Sequence, residues 1–377
     1  MNEWKEFCIE DIASIHNDER IPLSKMERLK RNGNYPYYGA SGIIDFIDDF
    51  IFDGEYVLVS EDGENLKSRQ TPIAFKANGQ FWVNNHAHIL KGKKDFHNNI
   101  IIYYFKNLDL NPFLTGAVQP KLNKRNLLSI PILLPEMEIE QKAIAEVLSS
   151  LDDKIDLLHR QNKTLEAMAE TLFRQWFVVE AEEEWEERSL SFFGNIICGK
   201  TPTKKKPHFF DGDIPFIKIP DMHGKTFVFD TIDTLTEEGK QSQFNKTIPP
   251  KSINVSCIAT VGLVTLNAFE SHTNQQINSI VPIKDDYRYY LYCAMKNIYD
   301  LLQAMASGGT ATLNLNTGNF SKIKLPLPNN KRLDNFNEIA IPLFDKIFKN
   351  QNQIRTLENL RDTLLPKLMS GEVRVNS

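Results

Sequence analysis

One apolar pattern occurs twice in this chain in matched register, and it limits the possible folds more than any other feature. Ile144, Leu148, Leu151, Ile155, Leu158, Leu165, Leu172 and Trp176 follow steps of four and three residues, the 3.5-residue period of a coiled-coil seam. The same spacing starts again at Phe336 and runs through Ala340, Leu343, Ile347, Asn350, Leu357, Leu364 and Leu368. The copies also share words: Thr164-Leu165-Glu166 returns as Thr356-Leu357-Glu358, and Asp153-Lys154-Ile155 as Asp345-Lys346-Ile347. Two long helices of one ancestry, each following a globular stretch, describe a duplicated protein with two heads on a shared rod. A first rod of about 40 residues extends roughly 60 Å. Asn162 is polar at a seam position, as are Asn350 and Arg361 in the second copy, and isolated polar seam residues set register.

At 377 residues the chain exceeds one ordinary core, so two domains with connectors are expected. Its 41% apolar and 25% charged residues are those of a soluble globular protein. The opening Met1-Asn2-Glu3-Trp4-Lys5 has no apolar leader, and no run approaches a membrane span, so no membrane partner is expected. Cys8, Cys198, Cys257 and Cys293 lie far apart without a paired spacing, which points to reduced thiols and a cytoplasmic location. The net charge of −5 argues mildly against a chain that binds nucleic acid unaided. Basic clusters nevertheless stand out at Lys25–Arg31, Lys121–Arg125 and Lys200–Lys206, offset by acidic stretches.

The chain reads as a first head (1–136), a spacer helix (137–181), a second head (182–328) and a second spacer helix (329–377). The heads carry short β-rich runs such as Tyr56-Val57-Leu58-Val59 and Phe81-Trp82-Val83, punctuated by Gly, Asn and Pro. Residues 96–107 read as a short helix. Leu122-Asn123, Asn126, Ile130 and Pro135 recur as Leu315-Asn316, Asn319, Ile323 and Pro328, so the duplication includes the end of each head. In the second long helix Pro342 is expected to kink or restart the helix, and Pro366 to end or bend its last turn.

Catalytic patterns are weak. Gly194 to Thr201 fits a phosphate-binding loop on paper, but Pro202 and Lys204-Lys205-Lys206-Pro207 make a poor helix start, so nucleotide hydrolysis is not expected. His86 and His88 would face one way on a strand, without further ligands for a metal. Glu140-Gln141-Lys142 imitates a nuclease fragment but lies on a helix. No catalytic residue and no metal site is assigned. A coiled-coil scaffold without DNA binding would explain the rod but not two β-rich heads with polar turns. Those turns carry Asn and Gln, which pair with adenine, and Lys, which pairs with guanine or phosphate.

With these residues in view, the chain resembles the DNA specificity subunit of type I restriction-modification enzymes. The resemblance rests on Leu134-Pro135, Glu140-Gln141, Ile144, Leu148 and Asp152-Asp153. It rests above all on Leu165-Glu166-Ala167-Met168-Ala169-Glu170-Thr171-Leu172-Phe173-Arg174-Gln175-Trp176-Phe177. It implies an α+β fold with two β-rich target recognition domains separated by two long antiparallel coiled-coil helices, duplicated about a pseudo-twofold axis. It implies a non-catalytic subunit that reads a bipartite site in double-stranded DNA. Two methyltransferase (modification) subunits would dock on the helices, and restriction/translocase subunits would join them. This chain would hold no cofactor, S-adenosylmethionine and ATP/Mg residing on the partners. The expected DNA contacts are Tyr37, Ser41, Asn84, His86, Lys121, Asn123, Lys124, Lys200, Thr201, Lys204, Lys205, Lys206, Gln275, Gln276 and Asn314. The expected docking residues are Glu140, Gln141, Leu165, Met168, Leu172, Phe173, Trp176 and Phe177.

Overall fold

The computed structural model describes residues 4–116, 119–307 and 313–375. It is α+β and duplicated. The chain divides into two compact units, 1–155 with 357–377, and 156–356. The division cuts both long helices, so each unit holds one head, about half of the central helix (Glu138–Arg174) and part of the second long helix (Asn330–Ser370), whose longer portion lies in the second unit. Among the described residues no helix is long and apolar enough to cross a membrane.

The first head opens and closes on one antiparallel strand pair, Trp4–Cys8 with Pro131–Pro135. Between them lie two four-stranded sheets. One runs in the order Ala13–Ile15, Ala87–Gly92, Tyr56–Ser60, Ala74–Ala77, all antiparallel. The other runs Gly42–Ile47, Asn32–Gly39, Gln80–Val83, Phe52–Asp53, with a parallel pairing of Tyr37–Tyr38 to Trp82–Val83. The helix His97–Asn107 stands where residues 96–107 were expected to be helical and buries Ile100, Ile101 and Phe105 against the first sheet.

The second head repeats the plan. Glu187–Ser189 pairs with Lys324–Pro326. A five-stranded sheet runs Gly194–Cys198, Ile277–Pro282, Ile253–Ser256, Val264–Asn267, Phe227–Val228. A three-stranded sheet runs Asp233–Leu235, Phe210–Ile217, His272–Thr273, and again the strand entering from the middle of the head pairs in parallel, Phe216–Ile217 with His272–Thr273.

In each unit the two long helices pack antiparallel. In the first, Ile144 and Leu148 share a cluster with Leu365 and Leu368, Asp152 accepts from Arg361 at 2.7 Å, and Glu140 accepts twice from Arg374 at 2.8 and 2.6 Å. In the second, Asn350 Nδ2 donates to Asn162 Oδ1 at 2.9 Å, and Phe336 meets Phe177 with centroids 5.2 Å apart. The three polar seam residues are thus matched: Asn162 with Asn350, and Arg361 with Asp152. The burial pattern keeps to the seam through Ala169 and then departs from it: Phe173 and Phe177 turn inward in place of Leu172 and Trp176, because there the helix packs against the second head as well as its helical partner.

The prolines correct an expectation. The second long helix is unbroken from Asn330 to Ser370 and passes through both Pro342 and Pro366. Both prolines are exposed, so their rings stay on the solvent side of the helix and leave its packed face intact. The flanking turns are held by buried Phe336, Ala340, Phe344 and Ile347 around Pro342, and by Leu365 and Leu368 around Pro366. Tertiary packing outweighs the local penalty. The helix ends before Gly371, as a glycine stop there implies, and its φ of +76° suits glycine.

Candidate nucleic-acid interface

In each head, four chain segments meet at the ends of strands and form a polar rim. In the first head they are residues 38–41, 60–62, 84–88 and 120–122. Asn84 N–H donates to the Tyr38 carbonyl (3.0 Å), Glu61 N–H to His86 (2.9 Å), and Leu122 N–H to Glu61 (2.8 Å). In the second head Asn274 N–H donates to Ile217 (3.1 Å), Cys257 N–H to Gln276 (2.7 Å), and Leu315 N–H to Cys257 (2.8 Å). The turn is kept too: Asn84 Oδ1 accepts from His86 N–H at 2.8 Å, and Asn274 Oδ1 from Gln276 N–H at 3.1 Å. These backbone bonds and the turn are duplicated, while the side chains at the rim differ: His86 against Gln276 and Lys121 against Asn314 at the surface, and the Glu61 carboxylate against Cys257, whose thiol is buried in the core.

The first rim is a paired electrostatic cluster. Arg20 donates to Glu61 at 2.8 Å, and Lys121 Nζ lies 3.3 Å from the same carboxylate. Burial alone would raise the Glu61 pKa, but the Arg20 hydrogen bond and its positive neighbours leave it lowered. Beside it, buried His88 donates from Nε2 to the Leu122 carbonyl (2.7 Å) and accepts at Nδ1 from Asn17 (2.8 Å). Burial pushes its pKa down, so it holds the rim as a neutral ring. His86 is exposed, with Nδ1 2.9 Å from Asp62. The two histidines therefore do not face one way: His86 lies in the turn, and His88 is enclosed within the strand.

The second rim is more openly basic. Thr201 Oγ1 donates to Gln275 Oε1 at 2.8 Å, and buried Gln243 donates to the Lys200 carbonyl at 2.7 Å. Lys204, Lys205 and Lys206 follow on an exposed loop. Among the described residues none of these three ammonium groups, nor that of Lys200, has a carboxylate partner; Lys206 lies 5.0 Å over the Phe209 ring. The phosphate-loop match at Gly194–Thr201 has no mechanical content. Its residues form a strand, the amides of Gly199 and Lys200 donate to the carbonyls of Ile277 and Thr273, and no helix follows.

His272 supports this rim from beneath. Its ring is buried, with Nε2 2.9 Å from Thr247 Oγ1 and Nδ1 3.4 Å from Gln243 Nε2, and burial pushes its pKa from 6.5 down to about 4. Between those values the unfolded chain binds a proton that the folded chain refuses, so stability is full above pH 6.5 and falls as pH drops toward 4. At pH 5 this site is expected to cost about 2 kcal/mol. Urea unfolding at pH 7.5 and 5.0 checks it: His272→Gln should lose less stability on acidification than the wild type. Equal losses would exclude the assignment.

Burial corrects one of the expected contacts, Tyr37. The Tyr37 ring is fully enclosed and its hydroxyl bonds the Leu23 backbone, so it is a core residue. Asn123 spends its side-chain oxygen capping a helix through Asn126 N–H (2.9 Å). Lys124 reaches outward to Asp18, 3.6 Å away. Ser41, Asn84, His86 and Lys121 come together on the first rim; Lys200, Thr201, Gln275, Gln276 and Asn314 come together on the second. Of the docking residues, Glu140 and Gln141 are buried, the latter donating to the Pro135 carbonyl at 2.7 Å, and Phe173 and Phe177 lie in the second head's core. Leu165, Leu172 and Trp176 are half-covered against that same core, and Met168 points outward. Arg20, Glu61, Gln243 and His272 had not been singled out. The repeat Asn84-Asn85-His86-Ala87-His88 against Asn274-Gln275-Gln276-Ile277-Asn278 aligns the two rims in the sequence, but it contains none of these four.

Comparison with known proteins fits this geometry. The family model of the type I restriction modification DNA specificity domain matches residues 1–167 and 182–359. The HindI type I restriction enzyme specificity subunit of Haemophilus influenzae is 35% identical, covering 67% of this chain and 71% of its own. The MjaIX type I restriction enzyme specificity subunit of Methanocaldococcus jannaschii is 27% identical, covering 99% of this chain and 94% of its own. The crystal structure of a type I restriction-modification S subunit from M. genitalium superposes with a TM-score of 0.68 at 16% identity, covering 97% of this chain and 96% of that one, which extends the likeness to the fold.

Proposed function

The chain belongs to the family of type I restriction-modification DNA specificity subunits, and from that premise we propose that its heads, residues 1–136 and 182–328, each read one half of a bipartite site in double-stranded DNA. The observation that carries this reading is the rim: one backbone scaffold made twice, with different side chains on it. A duplicated reader of one sequence would keep those side chains; a reader of two different half-sites must vary them and keep the scaffold.

The helical segments 137–181 and 329–377 act as spacers and as the docking surface for two modification subunits. Support comes from Met168 and Leu360, exposed apolar residues at equivalent positions of the two helical repeats, which offer one docking chemistry twice. Catalysis, S-adenosylmethionine and ATP/Mg belong to the modification and restriction partners, the assembly works in the cytoplasm, and this chain selects the site.

The net charge of −5 and the paired cations of the first rim make isolated binding weak. Affinity for the specific duplex is expected to rise at least tenfold when modification subunits are added, because linked contacts become intramolecular. Equal affinity with and without them would refute the docking reading. Most of the chain's own salt dependence should come from the second head. Replacing Lys204, Lys205 and Lys206 together by Gln is expected to reduce the slope of log affinity against log salt by about 2–3. A slope unchanged in a binding titration from 50 to 300 mM salt would remove these lysines from the interface.

A further inference from the structure

The first rim has an apolar element that the polar reading leaves unused. In the hairpin Asn32–Gly39/Gly42–Ile47, Tyr37 pairs with Asp45 and Tyr38 with Ile43, so Ile44 is an extra, unpaired residue in a β-bulge. Bulges of this kind re-aim one side chain away from the regular alternation of a strand. The Ile44 side chain is folded over Gly39. A Cβ on Gly39 would lie 3.1 Å from Ile44 Cγ2 and 3.5 Å from Asn84 Nδ2, so the absence of a side chain at residue 39 lets the isoleucine and the amide sit side by side. Ile44 is nevertheless 51% exposed. Asn84 Nδ2 donates to no protein group among the described residues, whereas its counterpart Asn274 Nδ2 is closed onto Gln276 Oε1 at 2.9 Å. A carboxamide next to an exposed branched alkyl group is the complement of one base pair. In the major groove an A·T pair presents the adenine N6 and N7 edge to an amide and, across the pair, the thymine C5 methyl to an apolar side chain.

We propose that Ile44 is a specificity-determining residue of the first head, making van der Waals contact with the C5 methyl of a thymine in the half-site read by this head, in or next to the base pair whose adenine faces Asn84. This rests on the reading of the heads as DNA readers. It names a base pair and a chemical group that the second head, with its amide closed, does not read in the same way.

The experiment uses the assembled modification complex and a duplex carrying its mapped recognition sequence. Each thymine of the first half-site is replaced in turn by 2′-deoxyuridine, which removes only the methyl group. One replacement is expected to weaken binding by about three- to tenfold, the scale of one buried methyl contact. In the Ile44→Ala complex the same replacement should change affinity less than twofold, because the partner of the methyl is already gone. Gly39→Ala, which pushes a methyl between Ile44 and Asn84, should weaken binding to the thymine duplex while sparing second-half-site substitutions. A wild-type uracil scan flat across the first half-site, with sequence preference otherwise intact, would overturn the inference without relying on any variant folding. An equal uracil penalty in wild type and Ile44→Ala would also overturn it. Absence of any sequence preference in the complex would instead overturn the DNA-reading assignment on which it stands.

Discussion

Replacing residues 182–328 by the second head of another family member is expected to change one half of the recognised sequence completely and leave the other half untouched. The structure says why such an exchange is mechanically clean. The second head starts and ends on one strand pair, Glu187–Ser189 with Lys324–Pro326, and Leu327 N–H donates to the Glu186 carbonyl at 2.8 Å, so the segment leaves where it enters. It also has a definite inner side. Tyr292 and Lys296 both donate to Glu166 on the central helix, at 2.5 and 2.7 Å, and Tyr290 stacks edge-on to Phe177 with centroids 5.0 Å apart. A donor head that keeps these three residues should seat on the same helical surface while presenting a different rim. Mapping methylated adenines across a genome that carries the hybrid checks the outcome. A change in both halves, or in neither, would mean that the heads are not independent readers.

The largest effect on stability is expected at Phe177. This ring is 2% exposed and lies among Phe173, Trp185, Tyr290 and Phe336, so it joins the end of the central helix, the second head and the start of the second long helix in one cluster. Deleting it removes a large buried side chain, two edge-to-face contacts and two tilted ones, worth about 3–5 kcal/mol in a site that cannot collapse. The backbone there is already irregular, since residues Gln175–Val179 form a wider π-type turn that the aromatic cluster holds in place. Phe177→Ala should therefore lower the urea midpoint of residues 156–356 severely. Met168→Ala, nine residues earlier and 51% exposed, should alter stability by no more than about 0.5 kcal/mol. Comparable losses in the two variants would show that the cluster does not hold the unit together.

These two residues also show where reading the chain alone succeeds and where it stops. Phe177 and Met168 occur in one continuous word, and that word identifies the family well; nothing in it says that Phe177 is internal and Met168 external. A 3.5-residue period locates a seam to within one position, but Phe173 and Phe177 turn inward because the second head packs on that side, including Tyr290, more than a hundred residues further along the chain. Glu140 stands for the same limit: a carboxylate at a helix start looks solvated until Arg374, from the far end of the chain, arrives beside it. Asn84 and His86 were legible as groove candidates from residue type and turn context, whereas Tyr37 and Asn123, of equally suitable type, serve the core and a helix cap.

From the amino-acid order alone came the duplication, the two long helices, the β-rich heads between them and the polar character of their turns, because periodicity and repeated words are local properties that any segment carries with it. Only the folded chain decided that Pro342 and Pro366 stay inside one continuous helix, that Asn162 meets Asn350, and that Arg20, Glu61, His88 and Lys121 share one rim. Each of these depends on groups far apart in sequence coming within a few ångströms. Burial and hydrogen bonding then set a free energy that no local propensity contains.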